Sequence, residues 1–518
     1  MNLARDPWIP VVRKNRQRAI IRPAEITRDF GANPVVEVDA TRAPWNGALT
    51  EFLIALFQTA IFPEDGREWR RAWHEPPSPS ELDAALAPLA DRFELAGPGP
   101  RFMQDASLAS SDEKSMLPIR KLMVDGVSAE RELHNADLFQ KRDAVGAICR
   151  GCAAAALWDL QAHAPQGSRG YYTSLRGGGP VSAIVCGVTL WETVWSNVVE
   201  IFRLGMSGRP DPDVFLPWRW HRNGRVRASE ECPLHVYWGM PRRIWFLEED
   251  GPDLCDLCGV VGSPRIRNYL TYRGGLQYSE TEWIHPLSPY LLKESGWLVR
   301  PTDETGAGYR DWLGVLFDTP HADGRPSLAV RSHVERNLPG EPWRIWAFGY
   351  VADRASIRAW HEGRMPVLLA EPRTARAMTD VVVTMVVLCQ RAREELEKAI
   401  EDAWRASGRP RIASSAKTLA EGLWARTEPE FIESVRRVLC PAPPAEIERV
   451  KNEWMFFVRR TAITIYEAAT PPGRSDLEWS CRLRHRLTRR LGSRNAATLK
   501  TLRFGEWRLE HDRIDAYA

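Results

Sequence analysis

The chain has 518 residues, and its 70 Lys and Arg against 67 Asp and Glu leave a net charge of +3. That balance excludes a uniformly basic, histone-like binder and confines any positive patch to a local stretch. A hydrophobic content of 44% permits a large core. A mean hydropathy of −0.36, with no apolar run of the ~18 residues that a bilayer span needs, argues against a membrane protein.

The first residues, MNLARDPWIPVV, hold no apolar stretch of a secretory signal, so a soluble, cytoplasmic chain is expected. Length divided by about 150 suggests roughly three units, and two unequal ones fit as well. Asp6-Pro7-Trp8-Ile9-Pro10 reads as a rigid turn with Trp8 packed inside. Short β-branched or aromatic runs follow: VVEV at 35–38, VSAIV at 181–185 and RRIWFL at 242–247. They alternate with Gly- and Pro-rich stretches and predict strands mixed with helices. Trp45–Phe62 is apolar around nearly its whole circumference and predicts a buried helix.

From Thr374 the pattern becomes helical, with Glu394 and Lys398 spaced as an i,i+4 pair, until Ser407-Gly408 and Pro410 stop it. Further helices are predicted over about Ser415–Val438, Ala445–Thr470 and Asp476–Leu491, separated by Pro/Gly breaks. The expected fold is α+β: a large irregular N-terminal mixed domain over 1–370, then a C-terminal four-helix bundle over 372–518.

Nine cysteines are too few for a disulfide framework in a chain this long. Four of them form two CxxC knuckles, Cys149-Arg150-Gly151-Cys152 and Cys255-Asp256-Leu257-Cys258. Four thiolates match the number and softness that tetrahedral Zn²⁺ prefers, and such a site has no open position for water, so it predicts a structural zinc staple. The knuckles lie far apart in sequence and must meet through the tertiary fold; reduced surface thiols are the alternative. The other five, Cys186, Cys232, Cys389, Cys440 and Cys481, read as buried small side chains. The 22 Trp read chiefly as packing residues, with stacking on bases as the sharper alternative.

Two glycine-rich stretches, Gly167-Ser168-Arg169-Gly170 and Ser174–Pro180, are either plain turns or loops whose backbone can approach a phosphate or base edge, with Arg169 and Arg176 adding charge. Neither has the spacing of a phosphate-binding GxxxxGK[ST] loop. Arg265, Arg267 and Arg273, with Tyr269 and Tyr272, form a charged aromatic segment suited to phosphate or groove contact, or to a solvated hairpin. Between Arg482 and Arg503 stand seven Arg and one Lys without an acid, a nucleic-acid footprint or a solvated helix face. His285 and His333 are isolated, and no HExxH or GxSxG motif points to an enzyme.

The ordered set DPWIP at 6–10, WNGALTEFLIALFQTAI at 45–61, RFMQ at 101–104, CRGC, SLRGGGP at 174–180, CDLC and HPLSP at 285–289, followed by the helical end, resembles the CasA family. CasA is the large subunit of the type I-E CRISPR surveillance complex Cascade. The resemblance implies a non-catalytic DNA-recognition subunit. It would read the protospacer-adjacent motif (PAM) of double-stranded DNA from the minor groove and help to open the duplex for crRNA pairing. Its partners would be the other Cascade subunits, the crRNA, target DNA with its displaced strand, and a trans-acting helicase-nuclease.

By position, the family's glycine loop falls on Gln166–Gly170, with Gly167, Arg169 and Gly170 at the DNA. Its basic finger falls on Arg273, and counting back from Phe348-Gly349-Tyr350 places its polar wedge at His333 and Val334. A docking loop near the guide's 5′ end would be Asn135–Lys141, with Leu138, Phe139 and Gln140 at its tip, and Arg484, Arg486, Arg489 and Arg490 would hold opened DNA. Arg169 where the family pattern has glycine, and Arg rather than Lys at the finger, imply an altered motif preference. A zinc-dependent nucleic-acid-processing enzyme and a pure assembly scaffold of a ribonucleoprotein are the alternatives.

Overall fold

The structure is a computed structural model. It describes Met1–Ala469 and Cys481, except residues 127–131, 136–140, 168–169, 221, 252–253, 263, 305, 307, 317–323, 337, 339–342, 354–355, 368–371, 407–412 and 439–441. The chain divides into two compact units. The first is Met1–Ala307 with Leu313–Val367, and the second is Gly308–Trp312 with Leu368–Ala518.

The first unit opens with an antiparallel sheet in which β1 (Ile9–Arg13) lies between β2 (Arg18–Ile21) and β3 (Val35–Val38). Pairing Ile9 with Ile21 and Val11 with Val38 puts apolar side chains on one face. Helix α1 (Ala43–Ala60) starts with Pro44 in its first turn and is buried on all sides, including at the polar residues Glu51 and Gln58. Phe52 on α1 meets Trp8, Phe93, Phe102, Trp158 and Trp238 edge-on, at centroid distances of 5.2–6.4 Å. Much of the tryptophan content is therefore core: edge-to-face pairs add to the large apolar area each ring buries. Helices α2 (Gly66–His74) and α3 (Pro79–Ala90) start on the side-chain caps of Asp65 and Ser78.

Helix α4 (Arg150–His163) contains four consecutive alanines and is buried along most of its length. Before it, β4 (Ser115–Pro118) joins a sheet with β6 (Arg243–Glu249) and β7 (Arg265–Tyr272), in the order β4-β7-β6. A third sheet pairs the long hairpin β8 (Arg344–Asp353) and β9 (Ser356–Pro366) with β5 (Ser182–Cys186). Against β5 pack α5 (Leu190–Asn197) and α6 (Leu328–Arg336).

The second unit contains three mutually packed helices, α7 (Pro372–Ala406), α8 (Ala413–Arg437) and α9 (Pro444–Ala469). The fourth expected helix, Asp476–Leu491, lies outside the described residues apart from Cys481. Gly308–Trp312, expected in the N-terminal domain, belongs to this unit because of what it buries. The Tyr309 ring stacks on Phe431 at 4.2 Å and meets Trp424 and Trp454 edge-on. Its hydroxyl donates to Cys389 Sγ at 2.9 Å and lies 2.6 Å from Thr427 Oγ1. Tyr309→Ala is expected to destabilise the helical unit by about 3–5 kcal/mol, the range for deleting a buried aromatic, while Tyr309→Phe costs about 1 kcal/mol. Thermal unfolding followed by helical circular dichroism reads the difference.

Candidate metal centre and nucleic-acid interface

The two CxxC knuckles meet. The sulfurs of Cys149, Cys152, Cys255 and Cys258 all lie within 4.8 Å of one another, and Cys149 and Cys258 are 3.6 Å apart. Cys149 caps α4, its sulfur accepting the Cys152 amide at 3.4 Å, and its own amide donates to Cys255 Sγ at 3.3 Å. Ile148 and Ile266 exchange both backbone hydrogen bonds, at 3.0 and 3.1 Å, which joins the first knuckle to β7. Asp256, inside the second knuckle, accepts from the Gly146 and Ala147 amides at 2.7 and 2.8 Å and donates its own amide to Ala147.

Four tetrahedral Zn–S bonds of ~2.3 Å place sulfurs about 3.8 Å apart, so this spacing fits. Hydrogen bonds from Cys149 and Cys152 hold the Cys255 thiol far below the ordinary thiol range, and those to Cys149, Cys255 and Cys258 push Cys152 far above it. Four thiolates in this space repel, and a divalent cation relieves that repulsion. These four cysteines can bind a metal.

The glycine loop and the basic finger are neighbours. Pro165 and the loop follow the last turn of α4, and Gly274 N donates to Gly170 O at 2.7 Å. Gly170 has φ +91°, and a Cβ there would stand 3.1 Å from the Cβ and Cδ of Arg273. A Cβ at Gly167 would stand 2.4 Å from Tyr171 Cβ. Both positions thus need glycine, one for conformation and contact and the other for contact. Arg273 itself is exposed. Its carbonyl accepts from Arg243 Nη1 at 3.3 Å, and Arg243 is anchored on Asp105 at 2.6 Å and Ser107 at 2.9 Å. Behind the loop, Arg242 donates to Pro165 O at 2.6 Å and lies over the Tyr171 ring; burial pushes its pKa down to about 10.

Other expected site residues fall elsewhere. His333 is fully buried on α6, its ring 4.4 Å from that of Trp343, and burial holds it neutral with a pKa of about 3. Val334 is half-buried on the same helix. As placed, His333 cannot enter a duplex: α6 packs its Ala329, Val330 and His333 face inward. Among the described residues after Phe348-Gly349-Tyr350, Asp353 at the end of β8 is exposed and Ser356 at the start of β9 is half-buried. Arg176 is no phosphate ligand either, being 5% exposed and bonded to Glu51 through both terminal nitrogens. Arg169, the docking tip Leu138, Phe139 and Gln140, and the tail residues Arg484, Arg486, Arg489 and Arg490 lie outside the described residues.

Sequence reasoning missed a buried ionic cluster of Glu51, Asp159, His163 and Arg176. Its signals were an acid inside the otherwise apolar α1 and an Asp–His pair at i,i+4 on α4. Burial alone would raise the Glu51 pKa, but Arg176 and then His163 reverse this and hold it far below the carboxylate range. Burial alone would likewise lower His163; Glu51, then the bond to Asp159, raise it instead.

The features on hand define a class: a mixed α+β unit whose four-cysteine cluster joins two loop-bearing segments, followed by a helical unit. The chain belongs to the family described as CRISPR-associated protein Cse1, whose model matches residues 2–465. Thermus thermophilus CasA has a similar fold, with a TM-score of 0.69 at 18% identity over 95% of this chain and 99% of that one. Thermobifida fusca Cse1 gives 0.71 at 17% identity over 95% and 98%. A chain of a structure titled CRISPR RNA-guided surveillance complex gives 0.71 at 19% over 95% and 99%. Among the described residues no helix is long and apolar enough to cross a membrane.

Proposed function

We propose that this chain is the large subunit of a type I-E Cascade complex and a non-catalytic reader of the PAM in target DNA. Gly167 and Gly170 bring backbone close to the minor groove, and Arg273 beside them supplies the charge. The minor groove distinguishes mainly A·T from G·C, so such a reader tolerates several motifs, and crRNA pairing supplies the remaining specificity. Arg presents a planar fork where the family has Lys, so this chain's motif preference differs from its relatives'. The Arg-rich tail, with Arg169 and the Leu138–Gln140 tip, extends the contact to opened DNA and guide, and the other Cascade subunits and a helicase-nuclease complete the assembly.

Zn²⁺ held by Cys149, Cys152, Cys255 and Cys258 pins α4 to β7. The glycine loop follows α4 and Arg273 follows β7, so both reading elements share one staple. Four sulfur donors fill a tetrahedral shell, which suits a staple rather than a reaction centre.

The observation that carries this reading is the hydrogen bond from Gly274 to Gly170, which sets Arg273 beside the glycine loop in a member of the Cse1 family. In a reconstituted complex, Arg273→Ala should weaken binding to motif-bearing duplex by about 1–3 kcal/mol and leave assembly intact. Unchanged target affinity would remove Arg273 from the reading site.

A further inference from the structure

We propose that Arg176 is a positioning residue for motif reading: its guanidinium clasps the base of the loop that carries Gly167 and Gly170. This rests on the PAM-reading function proposed for that loop. The loop leaves α4 at His163 and Ala164 and returns at Ser174, whose amide donates to Ala164 O at 3.0 Å. A tight turn follows, in which Gly177 N donates to Ser174 O at 2.9 Å and Ser174 Oγ donates to Gly177 O at 2.8 Å. Arg176 sits in this turn and its side chain runs back to the end of α4.

Both ends of the loop are thereby held to the core. Arg176 Nη2 donates to Ala162 O at 3.4 Å and lies 3.0 Å from His163 Nε2, in the last turn of α4. The two terminal nitrogens meet the Glu51 carboxylate of α1 at 2.9 and 3.1 Å, and Nη1 reaches Ser182 Oγ on β5 at 2.8 Å. His163 Nδ1 is 3.0 Å from Asp159 Oδ1, whose other oxygen accepts from Tyr350 on β8 at 2.8 Å. One guanidinium therefore links the loop's departure, its return, α1 and β5. A planar fork can satisfy these directions together, and an ammonium cannot. A buried pair is weak evidence for stability as such, since apolar replacements of similar volume are often tolerated, so a positioning role is the better account of an arginine here.

The test uses the reconstituted guide-bearing complex with wild-type chain, with Arg176→Lys, and with the paired apolar replacement of Glu51→Met and Arg176→Met. Each is measured for affinity to duplexes with and without the motif, for amide exchange at Gly167 and at Gly170–Thr173, and for thermal midpoint. The expected result is that both variants lose about tenfold in motif discrimination, bind motif-lacking duplex as the wild type does, and exchange faster at the loop amides, even where the midpoint is kept. Wild-type discrimination with unchanged loop exchange in the folded variants would overturn the proposal. A wild-type complex that shows no discrimination would defeat the reading function instead, and loop exchange in the variants would still decide whether Arg176 holds the loop.

Discussion

Cys149→Ser is expected to strip the chain of one equivalent of zinc and to lower the thermal midpoint of the first unit by roughly 6–12 °C. A loss of at least about 3 kcal/mol, a fraction of the ~10–16 kcal/mol apparent for structural zinc sites, corresponds to that shift at roughly 2–4 °C per kcal/mol in large domains. The effect is large because the Cys149 sulfur is one of the four in the cluster, while its amide bond to Cys255 and its cap on α4 do not require sulfur. Serine keeps the cap and loses the soft donor, so the variant isolates the metal contribution. Elemental analysis with unfolding in the presence and absence of a chelator measures it. A wild-type chain that purifies without metal and gains no stability from added zinc would contradict the staple.

Glu51→Ala is expected to cost about 3–5 kcal/mol, the range for removing one partner of a buried ion pair, because Arg176 and His163 both face that carboxylate at 3% exposure or less in their side chains. Its pH dependence has a definite sign. Glu51 is held below its ordinary 4.5, so its contribution is present above that value and fades as pH falls. His163 is raised above its ordinary 6.5, so its contribution is complete below that value and fades as pH rises through the raised one. The penalty of Glu51→Ala should therefore be greatest between about pH 4.5 and 6.5 and shrink as pH rises through the raised His163 value, as read by denaturant unfolding from that window into the alkaline range. A penalty under about 1 kcal/mol, the scale of a surface pair, would contradict the cluster's role.

What local pattern could decide, the sequence made legible. VVEV forms β3 at the expected residues, and the all-round apolar run forms the buried α1. The knuckles were legible as candidate ligands because CxxC spacing presents paired thiols, the donors that metals such as zinc take. Their meeting depends on the Ile148–Ile266 pairing and on Asp256, which no local pattern announces. Nor can position along the chain report direction: counting back from Phe348 places a wedge at His333, and that side chain lies in the core. Arg176 looked like a phosphate ligand because its glycine-rich neighbours suggested an open loop, and the acid that claims it lies on a distant helix. Gly308–Trp312 leaves its sequence neighbours for the same kind of reason, since Tyr309 finds Phe431 and Trp454 only in three dimensions.

The most direct test of PAM reading by this subunit is the affinity of the reconstituted complex for target duplexes that differ only in the motif flanking the guide-matched segment, at fixed salt. The expected difference is about 1–3 kcal/mol per altered base pair, reduced in Arg273→Ala. Equal affinity for every flanking sequence would contradict it and leave the chain a scaffold of its complex.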